Sequence, residues 1–75
     1  MKPGIYQHFK GKKYKVHGLV KHSETLEDLV LYEALYENAL GKMWVRPKEM
    51  FLEEVEVEGK KVPRFTFISE DNFIQ

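Results

Sequence analysis

The sequence contains no cysteine, only one tryptophan and only three prolines. Without cysteine the chain can form neither a disulfide nor a thiolate-bound zinc site, and a reducing compartment is the natural setting for such a protein. No stretch approaches the roughly 20 consecutive apolar residues of a membrane span, and no apolar signal segment is present near the N-terminus. We therefore expect a cytoplasmic protein with no membrane partner.

An excess of one charge sign is also absent, because 12 basic and 12 acidic residues balance. The charges are unevenly distributed along the chain: residues 1–23 carry six lysines and no acidic residue, whereas residues 24–58 carry ten acidic residues and three basic ones. Neighbouring strands of opposite charge are expected to pair across a sheet. A neutral total disfavours strong nonspecific binding to nucleic acid, which depends on the release of many counterions.

The chain is rich in aromatic residues, with five Phe, four Tyr and one Trp in 75 residues. A domain of this size buries only about 60% of its unfolded surface, so the core is expected to be thin. Each large ring can contribute roughly 150–250 Å² of buried area to that core. The sequence predicts a single domain over residues 1–75, with an ordered core from about 4 to 68 and a polar tail over 69–75.

Alternation of apolar and polar residues with a period of two predicts a mainly β fold. Residues 4–10 and 14–22 alternate in this way around a glycine-lysine turn and predict a first hairpin. Gly18 interrupts the apolar face of the second strand and predicts a β-bulge. Residues 53–58 and 62–68 alternate around a Gly59 turn and predict a second hairpin.

The segment from 25 to 40 is compatible with two structures. As a helix it would be capped by Thr25, ended by Gly41 and composed of good helix formers. As a strand over 29–36 it would carry apolar side chains on both faces. Because most other segments alternate as strands and need a central partner, we expect the strand, and an α+β fold with residues 25–40 helical is the alternative.

A second short strand is predicted over Met43–Arg46, stopped by Pro47. Proline at a helix-starting position then predicts about one helical turn over residues 47–51, with Met50 and Phe51 plugging one end of the core. Together these elements predict a small SH3-like fold. It would be a strongly bent antiparallel sheet or a partly open barrel with one short helical turn.

Five sequence motifs run through the chain. In order they are G-x-Y-x-H-F-K-G-x-x-Y-x-V from Gly4, H-S-E-T from His22, V-x-Y-x-A-L-Y from Val30, W-V-R-P-x-x-M-F from Trp44 and R-F from Arg64. By these motifs the chain resembles the bacterial domain-of-unknown-function family numbered 1653, from residue 4 to about residue 67. The resemblance implies a small bacterial cytosolic β domain and brings no activity with it.

An aromatic-cationic surface is the preferred candidate site. Its members are Tyr6, His8, Tyr32, Trp44, Arg46 and Arg64. Trp44 and Arg46 share a face of their strand, and Tyr32 lies across from them if residues 29–36 pair with residues 43–46. Such a surface suits the stacking of a planar group and the binding of a phosphate or carboxylate. The competing interpretation makes Tyr32 and Trp44 core residues and pairs Arg46 with Glu24 or Glu33, since an isolated buried charge is strongly disfavoured.

His22 and Glu24 complete the set of candidate ligand-binding residues. With His8 they are residue types that bind zinc or non-haem iron, but their spacing matches no compact ligand motif, so we predict no metal and no cofactor. Ser23 follows a histidine directly, yet no nucleophile elbow or oxyanion-hole motif accompanies it, so we predict no catalytic residue. Hydrogen bonding of His22 or Glu24 to the loop backbone is the simpler role.

The sequence therefore favours a noncatalytic binding module for a nucleotide-like ligand, a nucleic acid or a peptide. One alternative is a small enzyme or enzyme accessory that uses His8, His22 and Glu24, which would require a recessed pocket. The other alternative is a partner-binding or self-associating domain whose exposed strand edges pair with another chain.

Overall fold

The fold was analysed in a computed structural model that describes residues 1–70. Within these residues the elements are β1 (Gly4–His8), β2 (Lys13–Lys21), β3 (Asp28–Ala34), β4 (Met43–Pro47), α1 (Lys48–Phe51), β5 (Glu54–Val57), β6 (Lys60–Pro63) and β7 (Phe65–Ser69). The prediction of a mainly β fold with one helical turn is confirmed. The expected polar tail overlaps β7 at Ser69, and its residues 71–75 lie outside the described part of the chain. No helix within residues 1–70 is long and apolar enough to cross a membrane.

The strands form a five-stranded sheet and a separate two-stranded sheet. The larger sheet has the order β4-β3-β2-β1-β7 and is antiparallel throughout, and the smaller one pairs β5 with β6. In the described residues the larger sheet does not close into a barrel, so β4 and β7 are its edges. The sheet bends enough that Arg46 on β4 lies 5.9 Å from the ring centroid of Phe65 on β7.

The helical alternative for residues 25–40 is wrong, because β3 occupies this segment and lies between β2 and β4. Its backbone bonds alternate between the two neighbours: the Ala34 amide donates to the Lys42 carbonyl at 2.8 Å, and the Leu35 amide donates to the Lys13 carbonyl at 3.1 Å. A strand with a partner on each side satisfies both its donors and its acceptors. Tertiary pairing therefore overrides the helix propensity of its Leu, Ala and Glu residues.

The predicted β-bulge at Gly18 is confirmed. Val16 pairs with Tyr32 and Gly18 pairs with Leu31, so His17 is an extra residue in the β2 ladder. Gly18 has a φ of 148°, in a region that residues with a side chain rarely adopt. An extra residue of this kind bends a strand and increases its twist, which helps to curve the sheet over the core.

Across β2 and β3 a lysine pairs with an aspartate, as the charge distribution predicts, and a histidine hydrogen-bonds with a glutamate. Lys21 Nζ lies 2.7 Å from Asp28 Oδ1, and His17 Nε2 lies 3.0 Å from Glu33 Oε1. The hydrogen bond and charge of Lys21 hold the pKa of Asp28 below its ordinary value. The lysine-rich and acid-rich parts of the sequence thus meet along one ladder of the sheet.

The second hairpin is confirmed, but the single strand predicted over residues 62–68 is wrong. This segment is divided between β6 and β7, with Arg64 between them. The Arg64 amide donates to the Glu53 carbonyl at 3.0 Å, and the Arg64 carbonyl accepts from the Phe9 amide at 2.9 Å. Arg64 therefore connects the two sheets, and Pro63 ends β6 because it has no amide hydrogen to continue the ladder.

The core is a cluster of aromatic and branched side chains on one face of the larger sheet. Its members are Tyr6, Val16, Val30, Tyr32, Phe51 and Phe65. Phe51 is only 1% exposed, and its ring stacks on Phe65 with the centroids 4.0 Å apart and the planes 2° from parallel. The predicted plugging role is confirmed for Phe51 but wrong for Met50, which is 45% exposed. Successive helical residues point about 100° apart, so a single turn directs few side chains inward.

Candidate ligand-binding site

A cavity of about 210 Å³ lies at the β3–β4 edge of the larger sheet, and we call it the tyrosine pocket. It is lined by Tyr14, Tyr32, Tyr36, Asn38, Trp44 and Arg46. Tyr32 and Trp44 are direct partners in the β3–β4 ladder, as predicted, and Arg46 follows on the same face of β4. The structure therefore brings together three of the residues proposed for the aromatic-cationic surface. Tyr32 is buried and Trp44 is half-buried.

The loop after β3 forms the outer wall of the tyrosine pocket. Asn38 holds its turn: its Oδ1 accepts from the Leu40 amide at 3.0 Å, and its carbonyl accepts from the Gly41 amide at 3.0 Å. Gly41, with a φ of 124°, completes the turn in a conformation that favours glycine. The indole Nε1 of Trp44 then donates to the Gly41 carbonyl at 3.1 Å. These bonds fix the loop against the start of β4 and bring Asn38 beside Tyr36.

Two tyrosine hydroxyls meet on the wall of the pocket. The Oη atoms of Tyr14 and Tyr36 are 2.6 Å apart. Burial raises the pKa of Tyr14, and its hydrogen bond with Tyr36 raises it further, so Tyr14 keeps its proton at neutral pH. In a phenol pair one hydroxyl donates to the other oxygen, and the second proton is left for another acceptor. The pair therefore provides one hydrogen-bond donor that its own geometry does not use.

Arg46 is the charged group of the tyrosine pocket. Its Nε donates to Tyr32 Oη at 3.4 Å, and within residues 1–70 its guanidinium forms no ion pair with a carboxylate. The predicted alternative partners do not pair with it, since Glu33 binds His17 and Glu24 is an exposed loop residue. Its two terminal nitrogens thus have no acceptor in the described part of the chain.

Several basic side chains lie in or near the pocket. Burial lowers the pKa of His8, and the charges of Arg46, Arg64 and Lys10 lower it further. Arg46 and Arg64 therefore act on the same region of the protein. Lys12 is a further long cation, with its Nζ 4.8 Å from the ring centroid of Tyr36.

The polar groups that remain available in the pocket include several donors. They are the terminal nitrogens of Arg46, one hydroxyl of the tyrosine pair and the amide nitrogen of Asn38, whereas the side-chain oxygen of Asn38 already accepts a bond. A pocket that contains an arginine and further donors is complementary to an oxyanion such as a carboxylate or phosphate. Aromatic cages can also bind quaternary ammonium groups, but the charge of Arg46 opposes a cationic ligand.

The other members of the aromatic-cationic surface lie outside the tyrosine pocket. Tyr6 is a core residue, and its hydroxyl donates to the Lys2 carbonyl at 2.6 Å. Arg64 Nη2 lies 2.9 Å from Glu53 Oε1 in an ion pair. His8 lines a separate cavity of about 390 Å³ between β1 and the β5–β6 hairpin. The proposed surface is thus divided between the core, the pocket and the region where the two sheets meet.

The structure does not bring His22 and Glu24 to the pocket or to His8. His22 Nδ1 accepts hydrogen bonds from the amides of Glu24 at 3.1 Å and Thr25 at 3.3 Å, which is the local loop role anticipated from the sequence. His8 and His22 flank opposite ends of β2, which has nine residues, a length of about 30 Å at 3.3 Å per residue. Within residues 1–70 no three His, Cys, Asp or Glu side chains form a group suited to a metal ion.

Three pocket residues were missed by the sequence reasoning: Tyr14, Tyr36 and Asn38. For Tyr14 a signal was present, because period-two alternation puts it on the same face of β2 as Val16, which pairs with Tyr32. For Tyr36 a signal was also present: it lies just beyond the end of β3, but alternation along the strand predicted over residues 29–36 puts it on the same face as Tyr32. Asn38 belongs to a loop whose turn conformation has no distinctive sequence pattern.

Comparison with known proteins places these observations in a family. A family model described as "Protein of unknown function (DUF1653)" matches residues 4–67. The structure is similar to the crystal structure of a DUF1653 protein from Bordetella bronchiseptica, with a TM-score of 0.89 and 34% sequence identity over 93% of this chain and 90% of that one. No curated protein sequence matches significantly. A family match over most of the length and a shared fold agree with the motif resemblance, and the chain belongs to the DUF1653 family.

Proposed function

We propose that this domain is a noncatalytic binding module and that its tyrosine pocket takes an oxyanion carried by a larger ligand. The observation that carries the proposal is Arg46, a half-buried arginine without a carboxylate partner in residues 1–70. Removing charge from water is costly unless the charge is paired. An oxyanion of a ligand would supply the partner that the described residues do not.

The geometry around Arg46 favours a carboxylate or phosphate over a neutral group. A guanidinium presents paired N–H donors that match two oxygens of one oxyanion. The free hydroxyl of the Tyr14–Tyr36 pair adds a donor, and the half-buried Trp44 adds an aromatic surface in the same cavity. An oxyanion attached to a planar or apolar group is therefore the chemistry that uses all of these residues.

The size of the pocket restricts the ligand further. Its volume of about 210 Å³ is below the range of about 300–1,000 Å³ that holds a whole drug-sized ligand. The pocket is therefore suited to one group of a ligand, with the remainder lying on the surface outside. Nucleotides, nucleic acids and peptides each present such a group, as a phosphate or as a carboxylate.

Tryptophan fluorescence tests the proposal directly, because Trp44 is the only tryptophan and lines the pocket. We would titrate the protein with two matched pairs of probes: AMP with adenosine, and N-acetylglutamate with its neutral diamide, N-acetylglutamine amide. The proposal predicts a saturable change with at least one anionic member and none with its neutral counterpart. Equal responses within both pairs, or no response to either anion at millimolar concentration, would contradict it.

The variant Arg46→Ala separates binding from structure. We expect it to abolish the fluorescence change while leaving the circular dichroism spectrum and the urea midpoint close to those of the native chain. Lys60→Ala, which removes the same charge from the exposed β6 strand, is the matched control and should bind normally. If Arg46→Ala unfolds the domain instead, the arginine is structural and the proposal fails.

A further inference from the structure

The pairing of β4 with β3 shows which backbone N–H and C=O groups of β4 face the open edge of the sheet. Ala34 donates its amide to the Lys42 carbonyl, one step beyond the Glu33–Met43 pair of the β3–β4 ladder. In an antiparallel ladder only alternate residues bond to a given neighbour, so the even-numbered residues of β4 bond to β3. Met43 and Val45 therefore direct their amides and carbonyls away from β3, and Pro47 directs its carbonyl the same way.

These outward groups have no partner in the described chain, because β4 is the edge of its sheet. Edge strands are commonly protected from pairing by lysines, inward charges or a covering segment. β4 contains no lysine, its proline is its last residue, and its one charged side chain, Arg46, lines the tyrosine pocket. Its outer-face residues Met43 and Val45 are apolar and 53% and 52% exposed. The edge is thus open to an incoming strand, which would find an apolar surface on one side.

The other face of β4 carries Trp44 and Arg46, which line the tyrosine pocket. Side chains of a strand added to β4 would alternate between the two faces. One set would lie beside Met43 and Val45, and the other set would reach Trp44 and Arg46. The complementary strand therefore has apolar residues at alternate positions and acidic residues between them.

We propose that the β4 edge binds an extended acidic peptide as an added antiparallel strand, and that acidic side chains of the peptide enter the tyrosine pocket. The inference rests on the proposed function, since it identifies the carrier of the oxyanion as a peptide. Charge complementarity selects this occupant over a second copy of the chain: two β4 strands paired about Val45 would bring two Arg46 side chains to one face without adding a carboxylate. Backbone bonds to the edge supply affinity, and the pocket supplies specificity.

The test uses the native protein and an acetylated, amidated heptapeptide of alternating valine and glutamate, beginning and ending with valine. In the antiparallel arrangement the valines lie opposite Met43 and Val45 and direct their amides at β4, whereas the glutamate amides point to solvent. N-methylation of the two inner valines should weaken binding about tenfold or more, since several backbone bonds are lost. N-methylation of two glutamates should leave the affinity within about twofold, because their amides bond only to water. Equal effects of the two methylations would overturn the proposal.

A variant of the edge tests the same point from the protein side. Val45→Pro removes an outward amide that the β3–β4 ladder does not use, and proline is tolerated at such edge positions. We expect it to lose the heptapeptide and to retain the fluorescence response to N-acetylglutamate. If the peptide still binds to a folded Val45→Pro protein with unchanged affinity, the edge is not the docking surface. The methylation experiment decides the question if this variant does not fold.

The outcomes distinguish this inference from the proposed function. Suppose that N-acetylglutamate binds through Arg46, but that N-methylation of the valines weakens heptapeptide binding no more than N-methylation of the glutamates. The oxyanion site then stands and strand addition is wrong. If neither N-acetylglutamate nor AMP binds, the proposed function itself fails. Analytical ultracentrifugation tests the competing occupant: a native dimer that Val45→Pro converts to monomers would assign the edge to a second copy and overturn the peptide proposal.

Discussion

Two aromatic clusters lie side by side on one face of the larger sheet, and they differ in how their polar atoms are used. In the core, Phe51 and Phe65 carry no polar atom, and the Tyr6 hydroxyl donates to the Lys2 carbonyl. In the tyrosine pocket, Arg46 and the phenol pair keep donors that the described residues do not satisfy. The rings of Tyr14 and Tyr32 connect the two clusters, with their centroids 5.3 Å apart. The same residue types therefore support stability in one cluster and leave recognition chemistry in the other.

The largest predicted effect is a loss of stability when a ring is removed from the core. Phe51→Ala removes a ring that is 1% exposed and packs against Tyr6, Tyr32 and Phe65. We expect the free energy of unfolding, measured by urea denaturation, to fall by about 3–5 kcal/mol. Met50→Ala, one residue earlier and exposed, is the control and should change it by less than about 1 kcal/mol. Similar losses for both variants would mean that the phenylalanine stack is not the centre of the core.

A smaller loss is expected where the backbone of β1 passes close to β7. A Cβ added at Gly4 would lie 2.6 Å from the Ser69 carbonyl and 2.8 Å from a ring carbon of Phe67, and Gly4 has a φ of 147°. Gly4→Ala should therefore destabilise the domain by about 1–3 kcal/mol. Gly11 also has a positive φ, but a Cβ added there would meet no atom within 4 Å, so Gly11→Ala is the control. The difference between the urea midpoints of the two variants measures the cost of the steric clash at Gly4.

The clearest comparison of the two clusters removes one hydroxyl from each. Tyr6→Phe and Tyr14→Phe each delete one partly buried hydrogen bond, so each should lower the free energy of unfolding by about 0.5–1.5 kcal/mol. Only Tyr14→Phe should also weaken the fluorescence response to the anionic probes, since it removes the hydroxyl that holds the Tyr36 donor in position. Matching losses of binding in both variants would show that the response reports stability and not the pocket.

The smallest predicted effect is a pH dependence of stability that arises from His8, where the two sheets meet. Burial and neighbouring cations lower the pKa of His8 in the folded chain. As the pH falls through the ordinary histidine value near 6.5, the unfolded chain binds a proton more readily than the folded one, so stability present at pH 8 is lost. His8→Gln should reduce the decrease in urea midpoint between pH 8 and pH 5.5. An unchanged decrease would assign the pH dependence to other groups.

Much of the fold follows from the alternation of residue types. The first hairpin, the Gly18 bulge and the pairing of Tyr32 with Trp44 were predictable because a strand exposes its two faces to different surroundings. The division at Arg64 was not, since it depends on bonds to Phe9 and Glu53, which are far apart in the sequence. Nor was the exposure of Met50, which depends on the orientation of a single helical turn.

The candidate site was predictable only in part. Trp44 and Arg46 could be placed on one face from their spacing, and Tyr32 from the strand pairing. The position of Asn38 is set by hydrogen bonds within the loop after β3, where no periodic pattern applies. Tyr36 follows the alternation of the strand predicted over residues 29–36, but its contact with Tyr14 joins side chains 22 residues apart in the sequence. His8 and Arg64 could not be separated from the pocket by sequence, because their position depends on how the two sheets meet.

The stacking of Phe51 also bears on the order of events during folding. α1 has four residues, far fewer than the roughly 12–15 that an isolated helix needs to be even marginally stable. Its phenylalanine contacts β1, β3 and β7, strands drawn from both ends of the chain. We therefore expect the helical turn to form only after these strands have assembled, late on the folding path. Loss of the Phe51 ring should consequently accelerate unfolding and leave the refolding rate nearly unchanged, the kinetic signature of a contact made after the transition state.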